Sequence, residues 1–173
     1  MADPSRANSP SPQSSGASPL FLREDEVRRG IELLYFGYTR LTGSVDGELA
    51  EHGLGRAHHR ALYFIARQPG MNVGDLLRLL SITKQSLGRV LKDLQAQNLI
   101  TTEQGRDDRR QRLLRLTDTG AALEAGLFAA LRTRLSQAYV DAGQGSVTGF
   151  WRVLEGLVPP ADRAMVAALR EEP

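Results

Sequence analysis

The chain has 173 residues, a formal net charge of +2 and 41% hydrophobic residues, ordinary values for a globular protein that can build a real core. It contains no cysteine, which excludes disulfides, cysteine zinc sites and thiol redox sensing. Neither an apolar run approaching about 18 residues nor the pattern of a signal peptide is present, so we expect no membrane partner and a cytoplasmic location.

The N-terminal part is predicted to be a disordered tail followed by one long helix. Residues 1–19 hold six serines and four prolines, a composition that cannot bury enough surface to offset ordering entropy. From Phe21 onwards, apolar residues recur at steps of three and four, which predicts a helix of about seven turns. Gly53 and Gly55 are expected to end it. The apolar stripe comprises Val27, Ile31, Leu34, Tyr38, Leu41, Val45 and Leu49.

Three shorter helices and a hairpin are predicted next. Helices are expected at 57–67, from Asn72 with Asp75 as its capping-box partner, and at 84–97 with Thr83 as N-cap. Residues 100–103 should pair with 112–117, because Leu114 and Leu116 alternate with Leu113 and Arg115. The tip of this hairpin, residues 105–110, is rich in arginine.

The C-terminal part is predicted to be helical again. A fifth helix should begin at Thr117 or Asp118, and leucines at every fourth position mark its buried face up to Tyr139. Residues 141–146 are expected to break it. The last helical region should be interrupted by Pro159-Pro160.

A helix, a turn, a second helix and a hairpin with a basic tip, in this order, predict a winged helix-turn-helix at 57–118, which places one helix in a DNA major groove. Charge supports this prediction. Residues 78–115 contain nine Lys or Arg against four Asp or Glu, a balance of +5, whereas the whole chain is only +2. Positive charge concentrated on one unit is typical of phosphate binding, so double-stranded DNA is the expected partner.

Two groups of side chains are expected to contact DNA. On the second helix of the motif they are Thr83, Lys84, Gln85, Ser86 and Arg89, whose chemistry suits base edges. On the wing they are Arg106, Arg109 and Arg110, with Asp108 orienting Arg110 through a charge-assisted bond. The alternative for the helix residues is a solvated helix face, and the alternative for the wing residues is a solvated charged loop; in neither case would they contact DNA.

The helices at both chain ends, 20–56 and 119–173, are predicted to form a dimerisation lobe. They offer more apolar surface than a lobe of this size can cover, and a second copy would bury it. We expect Val27, Ile31, Leu34, Phe150, Trp151 and Leu154 to form the contact. The alternative is a helical bundle within one chain. The fold class is therefore mainly α with a small β-hairpin wing.

Three histidines, His52, His58 and His59, cluster between the first helices. Helix capping, dimer packing or a hydrogen bond in the core is one interpretation, a ligand pocket is another, and metal or haem ligation is a third. A pocket formed by Tyr38, His59, Arg60 and Tyr63 would suit a small aromatic or anionic effector. No metal site or cofactor is assigned.

Three segments of the chain resemble the MarR family of bacterial transcription regulators. They are SITKQSLGRVLKDLQAQNLI, the pair Asp108-x-Arg110, and LLRLTDTG. The resemblance implies a homodimer that binds a pseudo-palindromic operator and is often released by a small ligand. Two departures stand out. Ser81 occupies a turn position where the family usually has Gly, and Gly88 replaces a small hydroxyl residue that often points at DNA.

The sequence therefore predicts a dimeric, sequence-specific transcription regulator, acting as a repressor. The alternative is a winged-helix module that binds another protein without reading DNA. An enzyme is not expected, because no nucleophile motif, phosphate-binding loop or HExxH pair is present.

Overall fold

The structure, a computed structural model, describes residues 18–105 and 110–169. The predicted tail lies outside the described residues except for its last two. Of the predicted wing residues, Arg106, Asp108 and Arg109 also lie outside them. The chain divides after Tyr38 into two units.

The prediction of one long first helix was wrong, because a 3₁₀ turn interrupts the helix. A 3₁₀ turn at Pro19–Leu22 leads into α1 (Glu24–Thr42), a second 3₁₀ turn at Gly43–Val45 follows, and α2 (Asp46–Glu51) completes the region. The Ser44 hydroxyl donates to the Leu41 carbonyl at 2.6 Å, a local bond that competes with the helical ladder. The interruption coincides with a change in burial. Val45 and Leu49 are buried, whereas α1 has no buried residue.

The predicted winged helix-turn-helix, which we call the reading unit, forms as expected, with one extra strand. It consists of α3 (Arg56–Arg67), β1 (Met71–Asn72), α4 (Val73–Leu80), α5 (Lys84–Ala96), β2 (Ile100–Gln104) and β3 (Arg112–Leu116). The antiparallel sheet has the order β1-β3-β2, with Met71 opposite Leu114 and Thr102 on the other side. Strand β1 has only two residues, too few for a periodic signal.

The cap of α4 is confirmed in part. The Asp75 amide donates to the Asn72 side-chain oxygen at 2.9 Å. The Asp75 carboxylate, however, accepts from the Asn72 side-chain amide at 2.6 Å, which replaces the expected return bond to the backbone.

Three helices follow the sheet: α6 (Asp118–Ala142), α7 (Gln144–Leu157) and α8 (Pro160–Ala168). Thr117 caps α6, since its hydroxyl accepts from the Gly120 amide at 3.0 Å. The predicted six-residue break is wrong in extent: Gly143 alone separates α6 from α7, and its φ of 76° is accessible to glycine without strain. The interruption at Pro159-Pro160 is confirmed.

The core lies in the reading unit, in the segment before it with Val45, Leu49 and Leu54, and in the first half of α6. It is built from leucines and isoleucines of α3, α4 and α5, from Leu114 of β3, and from Leu123 and Leu127 of α6. Helices α7 and α8 contain no buried residue. Over the ranges 18–105 and 110–169, no helix combines the length and apolarity needed to cross a membrane.

Candidate DNA-binding site

Helix α5 begins at a side-chain cap that also orders two of the predicted contact residues. The Thr83 hydroxyl accepts from the Ser86 amide at 3.1 Å, which confirms Thr83 as N-cap. The same hydroxyl donates to the Ser86 hydroxyl at 2.9 Å. Both hydroxyl groups are exposed, so the cap presents a fixed pair of polar atoms to an approaching partner.

The two faces of α5 separate as the spacing predicts. Leu87, Val90 and Leu94 are buried in the core. The residues predicted to meet DNA lie on the exposed face, namely Thr83, Lys84, Gln85, Ser86 and Arg89. Core packing therefore holds α5 with its polar first turns facing solvent.

The turn between α4 and α5 contains a strained residue. Ser81 ends α4 in the left-handed conformation, with φ 49° and ψ 42°. A residue with a Cβ is disfavoured there, which explains why glycine suits this position. The Ser81 amide donates to the Leu77 carbonyl at 3.1 Å, so the turn still satisfies a carbonyl at the end of α4.

The described part of the wing is a regular hairpin. The Gly105 amide donates to the Gln111 carbonyl at 3.0 Å, next to the tip. Glu103 and Arg115, on adjacent strands, form an exposed ion pair at 3.5 Å. Arg110 is exposed at the end of the described hairpin.

A groove of about 740 Å³, which we call the α5–wing groove, lies between α5, the wing and the first turns of α4. Its floor is mostly apolar, with Val73, Leu77, Leu87 and Leu91. Four cationic side chains also line it: Lys84, Lys92, Arg110 and Arg112. Lys92 and Arg112 contributed to the charge balance of the sequence but were not predicted as contacts. The spacing of Lys92, two turns after Lys84 on the same helix face, could have identified it.

A hydrogen bond ties the two walls of the α5–wing groove together. The Gln95 side-chain amide of α5 donates to the Thr102 hydroxyl of β2 at 2.6 Å, and both residues line the groove. The distance between helix and wing is therefore set by a direct contact as well as by the core.

The histidines have separate roles. His58 caps α3, because its Nδ1 accepts from the Gly55 amide at 3.1 Å, and its Nε2 lies 3.2 Å from the Asp93 carboxylate of α5. The capping interpretation is confirmed for His58. His52 is exposed; its carbonyl accepts from the Gln97 side-chain amide, and its amide donates to the Leu49 carbonyl. No cluster of three or more metal-ligating side chains occurs among residues 18–105 and 110–169.

His59 is buried, with 6% of its surface exposed. Burial is the main cause that lowers the pKa of the His59 imidazole, and the neighbouring Arg60 lowers it further, while Asp46 opposes them. His59 Nε2 and Arg60 Nε are buried without a hydrogen-bond partner in the described part of the chain.

The predicted ligand-pocket residues do not all share one cavity. Tyr63 lines a cavity of about 820 Å³ between α3, α6 and α8, whereas His59 and Arg60 are not among its lining residues. Tyr38 belongs to the first unit of the chain. The sequence did not predict the two charged groups of this cavity, Arg67 and Glu124. Burial raises the pKa of the Glu124 carboxyl, with Arg67 opposing. The Arg67 guanidinium donates to the Leu169 carbonyl at 2.5 Å.

Known proteins are similar to this chain in sequence and in fold. A model of the MarR family matches residues 52–111. The HTH-type transcriptional regulator PetP of Rhodobacter capsulatus is 44% identical over 156 residues, which cover 90% of this chain and 94% of the relative.

Solved structures show the same fold at lower identity. A MarR family transcriptional regulator from Silicibacter pomeroyi is similar with a TM-score of 0.65 and 21% identity, covering 80% of this chain and 92% of that one. A mutant MarR from E. coli, complexed with operator DNA, is similar with a TM-score of 0.62 and 20% identity, covering 82% and 100%. By its 44% identity to a regulator that it covers almost completely, and by the family model over its reading unit, this chain belongs to the MarR family.

Proposed function

We propose that the protein is a DNA-binding transcription regulator that acts as a homodimer on a pseudo-palindromic operator and represses transcription there. The observation that carries the proposal is the exposed first turn of α5, with its side-chain cap, beside a groove lined by four cations. Arg and Gln side chains at such a position can bond guanine and adenine edges. Membership of the family supports the same function.

Charge argues for DNA over a protein partner. Protein interfaces are depleted of lysine at their core, whereas both lysines of this chain lie on α5 and line the α5–wing groove. A phosphate backbone is the polyanion that such an arrangement suits.

Exposed apolar side chains support a homodimer. Helix α1 exposes Val27, Ile31 and Leu34, and α7 exposes Phe150 and Trp151. Leu154 is half-buried. Apolar faces of this kind on helices mark protein contacts, and a second copy would cover the same faces symmetrically. Two copies of α5 about 34 Å apart could then read successive major grooves.

Operator binding should depend steeply on salt. A dimer that doubles the +5 charge of residues 78–115 is expected to neutralise roughly 6–10 phosphates, which gives a log–log slope of about −5 to −9. The measurement is the affinity for a duplex selected from a random library, titrated between about 50 and 200 mM salt. A reporter behind the selected site should be expressed less when the protein is present.

Two variants separate base reading from wing binding. Arg89→Ala should cost about 1–3 kcal/mol and relax preference at one base position. Arg110→Ala should weaken binding to A·T-flanked sites while the fold is retained. Affinity that does not change with salt, or a selection that yields no palindromic site, would contradict DNA reading and favour the protein-binding alternative.

We also propose that a small aromatic acid releases the protein from its operator. The unpartnered His59 Nε2 and Arg60 Nε support this proposal, because both could donate to an anion after a modest rearrangement. Tyr63, about one turn after Arg60 in α3, lines a cavity.

Calorimetry with a panel of aromatic carboxylates tests the effector proposal. The native protein should bind at least one member, and His59→Ala with Arg60→Ala should bind it at least about tenfold more weakly, as expected for a lost charge-assisted contact. Glu124→Gln is the control: it changes a carboxyl group of the Tyr63 cavity but leaves His59 and Arg60 in place, so it should not weaken binding of an anion. Equal binding by the double variant would show that the pocket lies elsewhere.

A further inference from the structure

Asp93 is the only acidic residue of helix α5, and it lies one turn after Arg89. Residues four apart on a helix are neighbours, and opposite charges at this spacing attract each other. Because a helical side chain leans towards the preceding turn, the Asp93 carboxylate is well placed to pair with the Arg89 guanidinium. A guanidinium held in such a pair is not available to a base.

The structure shows a different partner for this carboxylate. Asp93 Oδ2 lies 3.2 Å from His58 Nε2 of α3, while Arg89 is exposed and forms no ion pair with any residue in the ranges 18–105 and 110–169. The Asp93 side chain is 55% exposed and the His58 side chain only 16%, so packing holds the imidazole more firmly than the carboxylate. His58 therefore determines the direction in which Asp93 points.

Two hydrogen bonds fix the His58 ring and its tautomer. Nδ1 accepts from the Gly55 amide at 3.1 Å, and because an amide N–H can only donate, Nδ1 carries no proton. The proton of the neutral ring is then on Nε2, where it donates to the Asp93 carboxylate. A hydrogen bond to a charged acceptor is stronger than one between neutral groups, whereas an exposed ion pair contributes little. His58 can therefore compete with Arg89 for the carboxylate.

We propose that His58 is a positioning residue for DNA reading: it holds the Asp93 carboxylate towards α3 and so keeps the Arg89 guanidinium available for a base edge. This inference rests on the proposed function. An exposed pair at the spacing of Arg89 and Asp93 shifts an equilibrium by about twofold, and a homodimer contains two such helices. Loss of His58 should therefore weaken operator binding by about two- to fivefold.

The test is a cycle of variants in the full chain, with operator affinity measured at one salt concentration. His58→Ala should weaken binding by about two- to fivefold and relax preference at the base pair where Arg89→Ala relaxes it. In the Arg89→Ala background, His58→Ala should cause no further loss, because the guanidinium that His58 protects is absent. His58→Ala combined with Asp93→Ala should bind as tightly as Asp93→Ala alone.

Two more variants separate this role from a contribution of His58 to folding. His58→Glu retains an acceptor for the Gly55 amide, as in a capping box, but its carboxylate cannot donate to Asp93. It should therefore weaken binding in the native background more than in the Arg89→Ala background. His52→Ala is the matched control, since it removes an exposed histidine outside α3 and α5 and should bind the operator as the native protein does.

A measurement without DNA tests the geometry itself. Nitrogen NMR of the free protein should find the neutral His58 ring protonated at Nε2 and unprotonated at Nδ1. Three results would overturn the inference: native affinity in both His58 variants, an equal loss with and without Arg89, or a neutral ring protonated at Nδ1. A native protein that binds no duplex at all would instead contradict the proposed function, and this inference with it.

Discussion

Gly120→Ala is expected to lower the free energy of unfolding by about 3–5 kcal/mol. A Cβ at this position would lie 1.9 Å from the carbonyl oxygen of Leu99 and 2.8 Å from its carbonyl carbon. Both are backbone atoms, so no side-chain rotation can relieve the clash. The same carbonyl accepts from the Thr117 amide at 3.1 Å, which fixes its position. Urea unfolding at one protein concentration measures the loss.

A second glycine on the same helix is the control for this prediction. At Gly126 of α6 a Cβ would meet only the Oε1 atom of Glu48, at 3.1 Å, the far end of a flexible side chain. Gly126→Ala should therefore stabilise the protein by about 0.5–1 kcal/mol through helix propensity. If both variants changed stability in the same direction, the close approach at Gly120 would not be the cause.

Gly120 also connects the reading unit to the C-terminal helices. The start of α6 packs directly on the segment that joins α5 to β2, where the Thr117 hydroxyl donates to the Asn98 carbonyl at 2.7 Å. A side chain at Gly120 would push α6 away from α5. The fraction of Gly120→Ala that remains folded should therefore bind the operator more weakly than an equal amount of folded native protein.

Ile31→Glu combined with Phe150→Glu is expected to produce monomers and to weaken operator binding by at least about 100-fold, because two linked half-sites lose their avidity. Ile31 is 63% exposed and Phe150 is 42% exposed in the protomer, so charges there should leave the protomer folded. Analytical ultracentrifugation at micromolar concentration measures the mass, and circular dichroism checks the fold.

The apolar pair Ile31→Leu with Phe150→Leu serves as the control for dimerisation. It preserves an apolar surface at both positions and should remain dimeric. A native chain that sediments as a monomer and still binds the operator tightly would contradict the homodimer. So would a charged double variant that remains dimeric.

Local signals were the most predictable from the sequence. The Thr83 cap, the burial of Leu87, Val90 and Leu94, and the pairing of the hairpin strands all depend on residues close together in the chain. Short-range hydrogen bonds and a 3.6-residue or 2-residue period are sufficient to predict them. The predicted α5 contact residues are exposed, outside the buried face of the helix, for the same reason. Whether they bind DNA remains a prediction.

Features that depend on distant partners were predicted incorrectly or missed. A continuous apolar stripe indicated one helix through Val45, yet that stripe contains both exposed and buried residues, and periodicity cannot distinguish them. Strand β1 exists only because Leu114, more than forty positions away, lies opposite Met71. His59 was predicted to line a ligand pocket, but only packing showed that it is buried with an unpartnered nitrogen.

The sequence by itself determined the fold class, the cap and polarity of the reading helix, and the family resemblance, because each is encoded in short-range spacing and charge. The tertiary structure alone decided why particular glycines stand where they do. Gly120 is required because a backbone carbonyl occupies the place of its Cβ, whereas Gly88 has open space on the groove side of α5. In the sequence both are simply helical glycines. The difference lies in what surrounds them, which depends on contacts between segments far apart in the chain.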